Sequence, residues 1–213
     1  FVTSYLDPEK LPPMYGSGAF PINYPNEYDR RRNKSGFGIW LHGTDRSLFS
    51  RPPLDSEGCV VLTNEEFEHI REYVEIGRTP VVITEGLEWL PHGDWQRQKK
   101  DVKKFIEEWR HQWEESDLQG YLNMYAEDFW SAEHDYHSWS RYKEQVFSSK
   151  TYQQIAVSDL SLYEYPRKDN EPAMIVANFV QHYRSNNFNG DMRKRLYLVK
   201  QQNQWRVLYE GGQ

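Results

Sequence analysis

Apolar and polar positions along the chain fall into two rhythms. In the C-terminal half, Val102, Phe105, Ile106, Trp109 and Trp113 recur at helical spacing and predict an amphipathic helix. Ser116-Asp117 stands where a cap belongs for a second helix carrying Leu118, Tyr121, Leu122 and Tyr125. Tyr142, Val146 and Phe147 mark a third over 138–149. Four strand-like segments follow, at 155–165, 173–184, 193–201 and 205–210, with turns at Asn186-Asn187-Phe188-Asn189-Gly190 and Gln201-Gln202-Asn203. Helices followed by a long antiparallel meander make an α+β pattern. Such strands are expected to curl around the three helices into a cone with an internal pocket.

The N-terminal half reads differently. Residues 1–36 are loop-rich, because Pro8, Pro12, Pro13, Pro21 and Pro25 with Gly16 and Gly18 interrupt any long periodic element. The interleaved Tyr5, Tyr15, Phe20 and Tyr28 are expected to pin that loop to a core, and Tyr24 stays open as a groove residue. Arg30-Arg31-Arg32 with Lys34 reads as a solvated loop rather than a carboxylate clamp. Gly38-Ile39-Trp40-Leu41 predicts a buried strand ending at His42, and Val60-Val61-Leu62 predicts another after the turn Ser56-Glu57-Gly58-Cys59. Thr63 and Glu66 form a capping-box pattern opening a helix with Phe67, Ile70 and Val74 on one face and Gly77 past its end. A short strand over 79–83 closes this part.

Near Pro91 the composition turns polar. The expected division is a first domain over 1–91, a linker over 92–100 and a second domain over 101–213.

Composition narrows the classes. Hydrophobic residues are 38% of 213, with 8 Trp, 15 Tyr and 10 Phe, which calls for packed cores rather than disorder. No apolar run reaches the roughly 18 residues of a membrane-spanning helix. A net charge of −6 argues against a nucleic-acid partner. Phe1-Val2 reads as the middle of a strand, so the natural N-terminus is expected to lie upstream.

The chemistry centres on Cys59, the chain's 1 cysteine. A lone Cys with a His elsewhere is the sequence form of a thiol nucleophile and its base, although a buried structural Cys and an unrelated His have the same form. The surroundings favour function. Strand ends joined by the 43–55 loop can bring His42 to Cys59, and Gly58 opens the backbone beside the nucleophile. The amides of Gly58 and Cys59 can face a developing oxyanion. Either the Gly43 carbonyl or a hydroxyl of Thr44 or Ser56 can orient His42. Asp45, Asp55 and Glu57 either tune His42 or are simply solvated. Glu133-His134-Asp135-Tyr136-His137 offers two histidines but no convincing third ligand, so neither a metal nor a cofactor is expected. In the second half Trp109, Trp113, Tyr121, Tyr125, Trp130, Trp139 and Tyr183 read first as core and second as a pocket lining.

His42-Gly43-Thr44 with Ser56-x-Gly58-Cys59-Val60-x-Leu62-x-Asn64 resembles the signature of the L,D-transpeptidase (YkuD-type) catalytic domain. Phe20-Pro21-Ile22-Asn23-Tyr24-Pro25-Asn26 and Gly38-Ile39-Trp40-Leu41 resemble the same family, and 101–213 resembles a nuclear-transport-factor-2-like domain. That pairing is similar to cell-shape-determining L,D-carboxypeptidases of Gram-negative bacteria.

The resemblance implies a mostly-β catalytic domain, here its C-terminal part, and periplasmic acyl transfer on peptidoglycan stem peptides. It makes Cys59, His42 and Gly43 catalytic and assigns Gly58, Ser56, Tyr24 and Trp40 to the oxyanion and substrate. D-Ala would leave from the L-centre of diaminopimelate through a Cys thioester. Water as acceptor gives a carboxypeptidase and an amine gives a transpeptidase; cleavage of a protein–peptidoglycan link and a non-catalytic cell-wall binding module are the alternatives. A small ligand or a protein is the expected partner of the second domain. The common family form has His before the Gly-Cys and Arg two after the Cys; Glu57 and Val61 stand there, which changes how a substrate carboxylate is held.

Overall fold

The computed structural model describes residues 1–84, 86, 91–167 and 171–212. They form two compact units, Phe1–Ile83 and Thr84–Gln213.

The first unit is built on a small sheet of β1 (Ala19–Pro21), β2 (Trp40–His42) and β3 (Val60–Val61), in that order. Antiparallel pairing sets Phe20 opposite Leu41, and parallel pairing sets Leu41 opposite Val60 and His42 opposite Val61. Phe20 and Val2 pack on Phe67 of α2 (Asn64–Arg71), with Leu41, Leu62 and Val74 around them. Phe67 is fully buried, and burying such a ring contributes about 1.5–3 kcal/mol. Thr63 and Glu66 close α2 with reciprocal hydrogen bonds, as a capping box requires.

Several expectations need correction here. The loop-rich residues 1–36 hold only short elements, namely β1, two 3-10 turns, Pro8–Lys10 and Pro13–Tyr15, and α1 (Glu27–Arg31), an unforeseen helix. Asn26 and Asp29 cap α1 in both directions, so the basic run begins on its last turn, and Lys34 pairs with the buried Asp29 at 2.9 Å. Helix α2 stops at Arg71, short of Val74, because the chain leaves through a turn in which the Tyr73 amide donates to Ile70. It then returns to the N-terminal segment, where the Gly77 amide donates to Val2. Residues 79–83 form no strand; Val2 donates to the Thr79 carbonyl, and Pro80 has no N–H with which to extend a ladder. Phe1-Val2 contributes a single bridge, Val2 to Ile22, rather than a strand interior.

In the second unit, α3 (His92–Glu114) absorbs the whole of the expected linker. Pro91 precedes its first turn, where a missing N–H has little cost, and Trp95 packs against the core, so this polar stretch has a reason to be helical. Asp117 caps α4 (Leu118–Leu122) through the Gly120 amide at 2.9 Å. Tyr125 does not continue that helix. It opens β4 (Tyr125–Trp130), whose Tyr125, Ala126 and Phe129 are buried while β4 pairs parallel with β8. Asp135 then caps α5 (Tyr136–Ser148).

β5 (Gln153–Glu164), β6 (Met174–Ser185), β7 (Asn189–Gln201) and β8 (Gln204–Gly212) form the antiparallel meander, giving the order β4-β8-β7-β6-β5. The sheet is therefore antiparallel except for its β4 edge. Trp109, Trp113, Tyr121, Tyr125, Trp139 and Tyr183 belong to one buried cluster, and Trp130 is half-buried against Tyr209.

Candidate active site

His42 ends β2 and is 2% exposed. Its Nδ1 lies 2.6 Å from the Gly43 carbonyl oxygen. That carbonyl can only accept, so Nδ1 carries the proton and Nε2 is left as the basic atom. The edge of Tyr15 meets the imidazole at 4.9 Å and 70°, and Tyr15 also contacts Trp40 at 5.1 Å. Burial lowers the imidazole pKa below its ordinary 6.5; the Gly43 carbonyl works the other way, and the positive Arg51 adds to the lowering. The ring is thus held neutral near pH 7, as a general base must be.

Gly43 is where it is for steric reasons. A Cβ there would stand 2.3 Å from Asn64 Oδ1 and 2.9 Å from the Ser17 amide. Those two groups bond each other at 2.8 Å, so Asn64, at the start of α2, fastens the 15–17 turn beside the strand end that bears His42.

Cys59 directly precedes β3. Continuing the β2–β3 register back one residue sets Cys59 opposite Trp40, and the two-residue period of a strand puts it on the face shared by Trp40, His42 and Val61. Gly58 has φ +116, which an L side chain avoids, and a Cβ there would press on Ile39 Cδ1 at 2.8 Å. The Ser56 hydroxyl donates to the Cys59 carbonyl at 2.6 Å and clamps the turn. Among the described residues no hydrogen bond uses the Gly58 or Cys59 amide, so both donors remain free for a ligand oxygen. The thiol itself donates to the Gly38 carbonyl at 3.4 Å and makes no hydrogen bond to His42.

An open cleft of about 210 Å³ runs beside the thiol, lined by Arg51, Pro52, Pro53, Leu54, Asp55, Ser56, Cys59 and Val61. Of the residues singled out from the sequence, Cys59, Ser56, Asp55 and Val61 line it. His42 ends the paired strand with Gly43 directly after it, Trp40 packs on Tyr15, and Gly58 shapes the turn. Tyr24 is not among the lining residues: it is followed by a cis bond to Pro25, and its ring stands beside Gly36. Neither hydroxyl offered as a partner for His42 serves it, since Ser56 bonds Cys59 and Thr44 Oγ1 is buried without a partner among the described residues. Asp45 caps Ser47, Asp55 is engaged by Arg51, and Glu57 is exposed. Among the described residues, no three His, Cys, Asp or Glu side chains converge as a metal site.

The L,D-transpeptidase catalytic domain (YkuD) profile matches residues 2–83, and the Cds6 C-terminal NTF2-like domain profile matches 101–211. Bd1075 of Bdellovibrio bacteriovorus is similar in structure, with TM-score 0.81 and 30% identity over 100% of this chain and 74% of that one. The chain belongs to the family that joins a YkuD L,D-transpeptidase domain to a Cds6 NTF2-like domain.

The helical cell shape determining protein Pgp2 from Campylobacter jejuni is also similar, with TM-score 0.76 and 26% identity over 99% of this chain and 72% of that one. No curated protein sequence matches the chain. At the level of the family, the role is a peptidoglycan-modifying one of L,D-transpeptidase type. Within this YkuD domain, two residues escaped the sequence reading. Arg51 was signalled only by its i,i+4 spacing to Asp55 across Pro52-Pro53, and Tyr15 only as one aromatic among several.

Proposed function

We propose that the protein is an L,D-carboxypeptidase of the periplasm, removing D-Ala from tetrapeptide stems of peptidoglycan. The observation that carries this reading is the buried, neutral His42, held through Nδ1 by Gly43 on a strand paired with the one that Cys59 leads into. Rotation about the Cys59 Cα–Cβ bond turns the thiol from Gly38 toward the imidazole. Nε2 takes the thiol proton, and Sγ attacks the carbonyl carbon at the L-centre of diaminopimelate. The free amides of Gly58 and Cys59 receive the oxyanion, a contribution of about 3 kcal/mol per well-placed donor. As the C–N bond breaks, His42 returns the proton to the departing D-Ala nitrogen, and the acyl group stays on sulfur as a thioester. Water, deprotonated by His42, then attacks the thioester; as the C–S bond breaks His42 returns that proton to the Cys59 sulfur, and the tripeptide leaves with a new carboxylate, its acid proton passing to solvent.

Water as the acceptor is supported by the likeness to a cell-shape-determining protein and by Glu57 and Val61, which depart from the common transpeptidase form. The test incubates purified muropeptides with the wild type and with Cys59→Ala. Tripeptide formed from tetrapeptide by the wild type alone is the expected result. New cross-links would show an amine acceptor, released protein would show cleavage of a protein–peptidoglycan link, and binding without any Cys59-dependent product would leave a non-catalytic cell-wall module.

A further inference from the structure

The cleft beside Cys59 has two charged residues in its lining, and they face the question of what holds the substrate. Arg51 is the cation and Asp55 the anion. Arg51 Nε donates to Asp55 Oδ2 at 2.9 Å and Nη2 donates to the Asp55 carbonyl at 2.6 Å. One edge of the guanidinium is thereby fixed across the Pro52-Pro53 corner. Nη1 has no hydrogen-bond partner among the described residues, and the side chain retains 23% of its exposure. The result is a guanidinium in a set orientation with a donor to spare, in the same cleft as the thiol. Val61 lies in that cleft too, at the position two after the cysteine, and brings no charge.

A stem peptide ending in D-Ala presents an anion one residue beyond the bond that breaks. We propose that Arg51 anchors this terminal carboxylate, a role that rests on the L,D-carboxypeptidase reading and supplies its substrate recognition. The guanidinium meets a carboxylate with directed, charge-assisted hydrogen bonds that an ammonium matches less well. Arg51 also adds, as the smallest of its causes, to the lowering of the His42 pKa.

The test compares kcat/KM of the full-length wild type and Arg51→Ala on three substrates: the tetrapeptide stem, its C-terminal amide, and the stem amidated on the diaminopimelate side-chain carboxyl. The wild type is expected to favour the free terminal acid over its amide by about 10- to 100-fold. Arg51→Ala is expected to lose that preference, its kcat/KM falling far more on the acid than on the amide, and Arg51→Lys to recover part of it. An alanine variant that keeps the preference, or that loses rate equally on acid and amide, overturns the anchor. A discrimination that follows diaminopimelate amidation instead overturns the terminal assignment. If the wild type converts none of the three, the enzymatic reading fails separately. Calorimetric titration of Cys59→Ala with acid and amide then decides the anchor: weaker amide binding that disappears on adding Arg51→Ala supports it, and equal binding overturns it.

Discussion

The imidazole of His42 and the carbonyl of Gly43 are joined at 2.6 Å, and this single contact decides which nitrogen can act as a base. It also sets a pH prediction. Burial, helped by Arg51, keeps the folded-state pKa of His42 below 6.5, so the base form persists into mildly acidic solution. Activity falls only as pH drops through that lowered value. The acid limb of kcat/KM is expected below pH 6.5, and Arg51→Ala should move it upward by removing a positive charge. His42→Gln is expected to lower kcat by roughly 10²–10⁴-fold. A limb above 6.5 in the wild type, read from a pH–rate profile, would contradict the buried neutral base.

Ser56 tests the turn rather than the base. Its hydroxyl holds the Cys59 carbonyl, so Ser56→Ala frees the residue whose amide is offered to the oxyanion. The expected effect is a fall in kcat of about 10- to 100-fold from misplacement of the nucleophile. Stability should change by only about 1 kcal/mol. Single-turnover acylation and thermal melts separate the two.

Lys143 is a polar group where the fold would accept an apolar one. It is 3% exposed, and its Nζ lies over the rings of Trp113, Trp139 and Tyr121 at 3.9, 4.5 and 5.1 Å. Desolvation pulls its pKa down to about 7, against the opposing pull of Glu210. A folded-state value below the unfolded one means the unfolded chain binds more protons between them. Stability is therefore expected to rise as pH increases from about 7 to about 10.5, and to level off at its lower value below about 7. Lys143→Met should flatten that rise and, at pH 7, match the wild type or exceed it by ~1–3 kcal/mol. Urea titrations followed by indole fluorescence at several pH values measure both.

Much of this was legible in the chain. The capping box at Thr63 and Glu66, the helix through Trp109 and Trp113, and the meander from Gln153 onward rest on local periodicity and turn chemistry, which a sequence displays directly. What escaped was set by tertiary pairing. Tyr125 continues the spacing of Tyr121 and Leu122, yet it is drawn into β4 because β8 lies ready to pair with it. The polar run 92–100 is helical because Trp95 has a core to pack on. Cys59 and His42 stood out by residue type and motif, whereas Arg51 became meaningful only when a cleft placed it beside Cys59. A surface-like Arg-x-x-x-Asp spacing carries no such information by itself.

The last prediction concerns the ion pair inside the second unit. Lys194 Nζ bonds Glu210 Oε1, and the Tyr125 hydroxyl donates to Glu210 Oε2 at 2.6 Å. Glu210 is 3% exposed and Lys194 7%. Burial alone would raise the carboxyl pKa; Lys194, Lys143 and Tyr125 outweigh it, and the folded value stays below 4.5. The charge on Glu210 is therefore tolerated only because its partners are present. Removing one partner should cost more than removing both, since a lone buried charge has no compensation. Lys194→Met is expected to destabilise the second unit by about 3–5 kcal/mol, and Lys194→Met combined with Glu210→Leu to recover most of that loss. Losses that simply add in a double-mutant cycle would show that the two side chains do not depend on each other. The lowered carboxyl pKa adds a sign: its stabilisation is present above pH 4.5 and is lost as pH falls through the lower folded-state value, so the wild type should weaken in acid more steeply than the double variant.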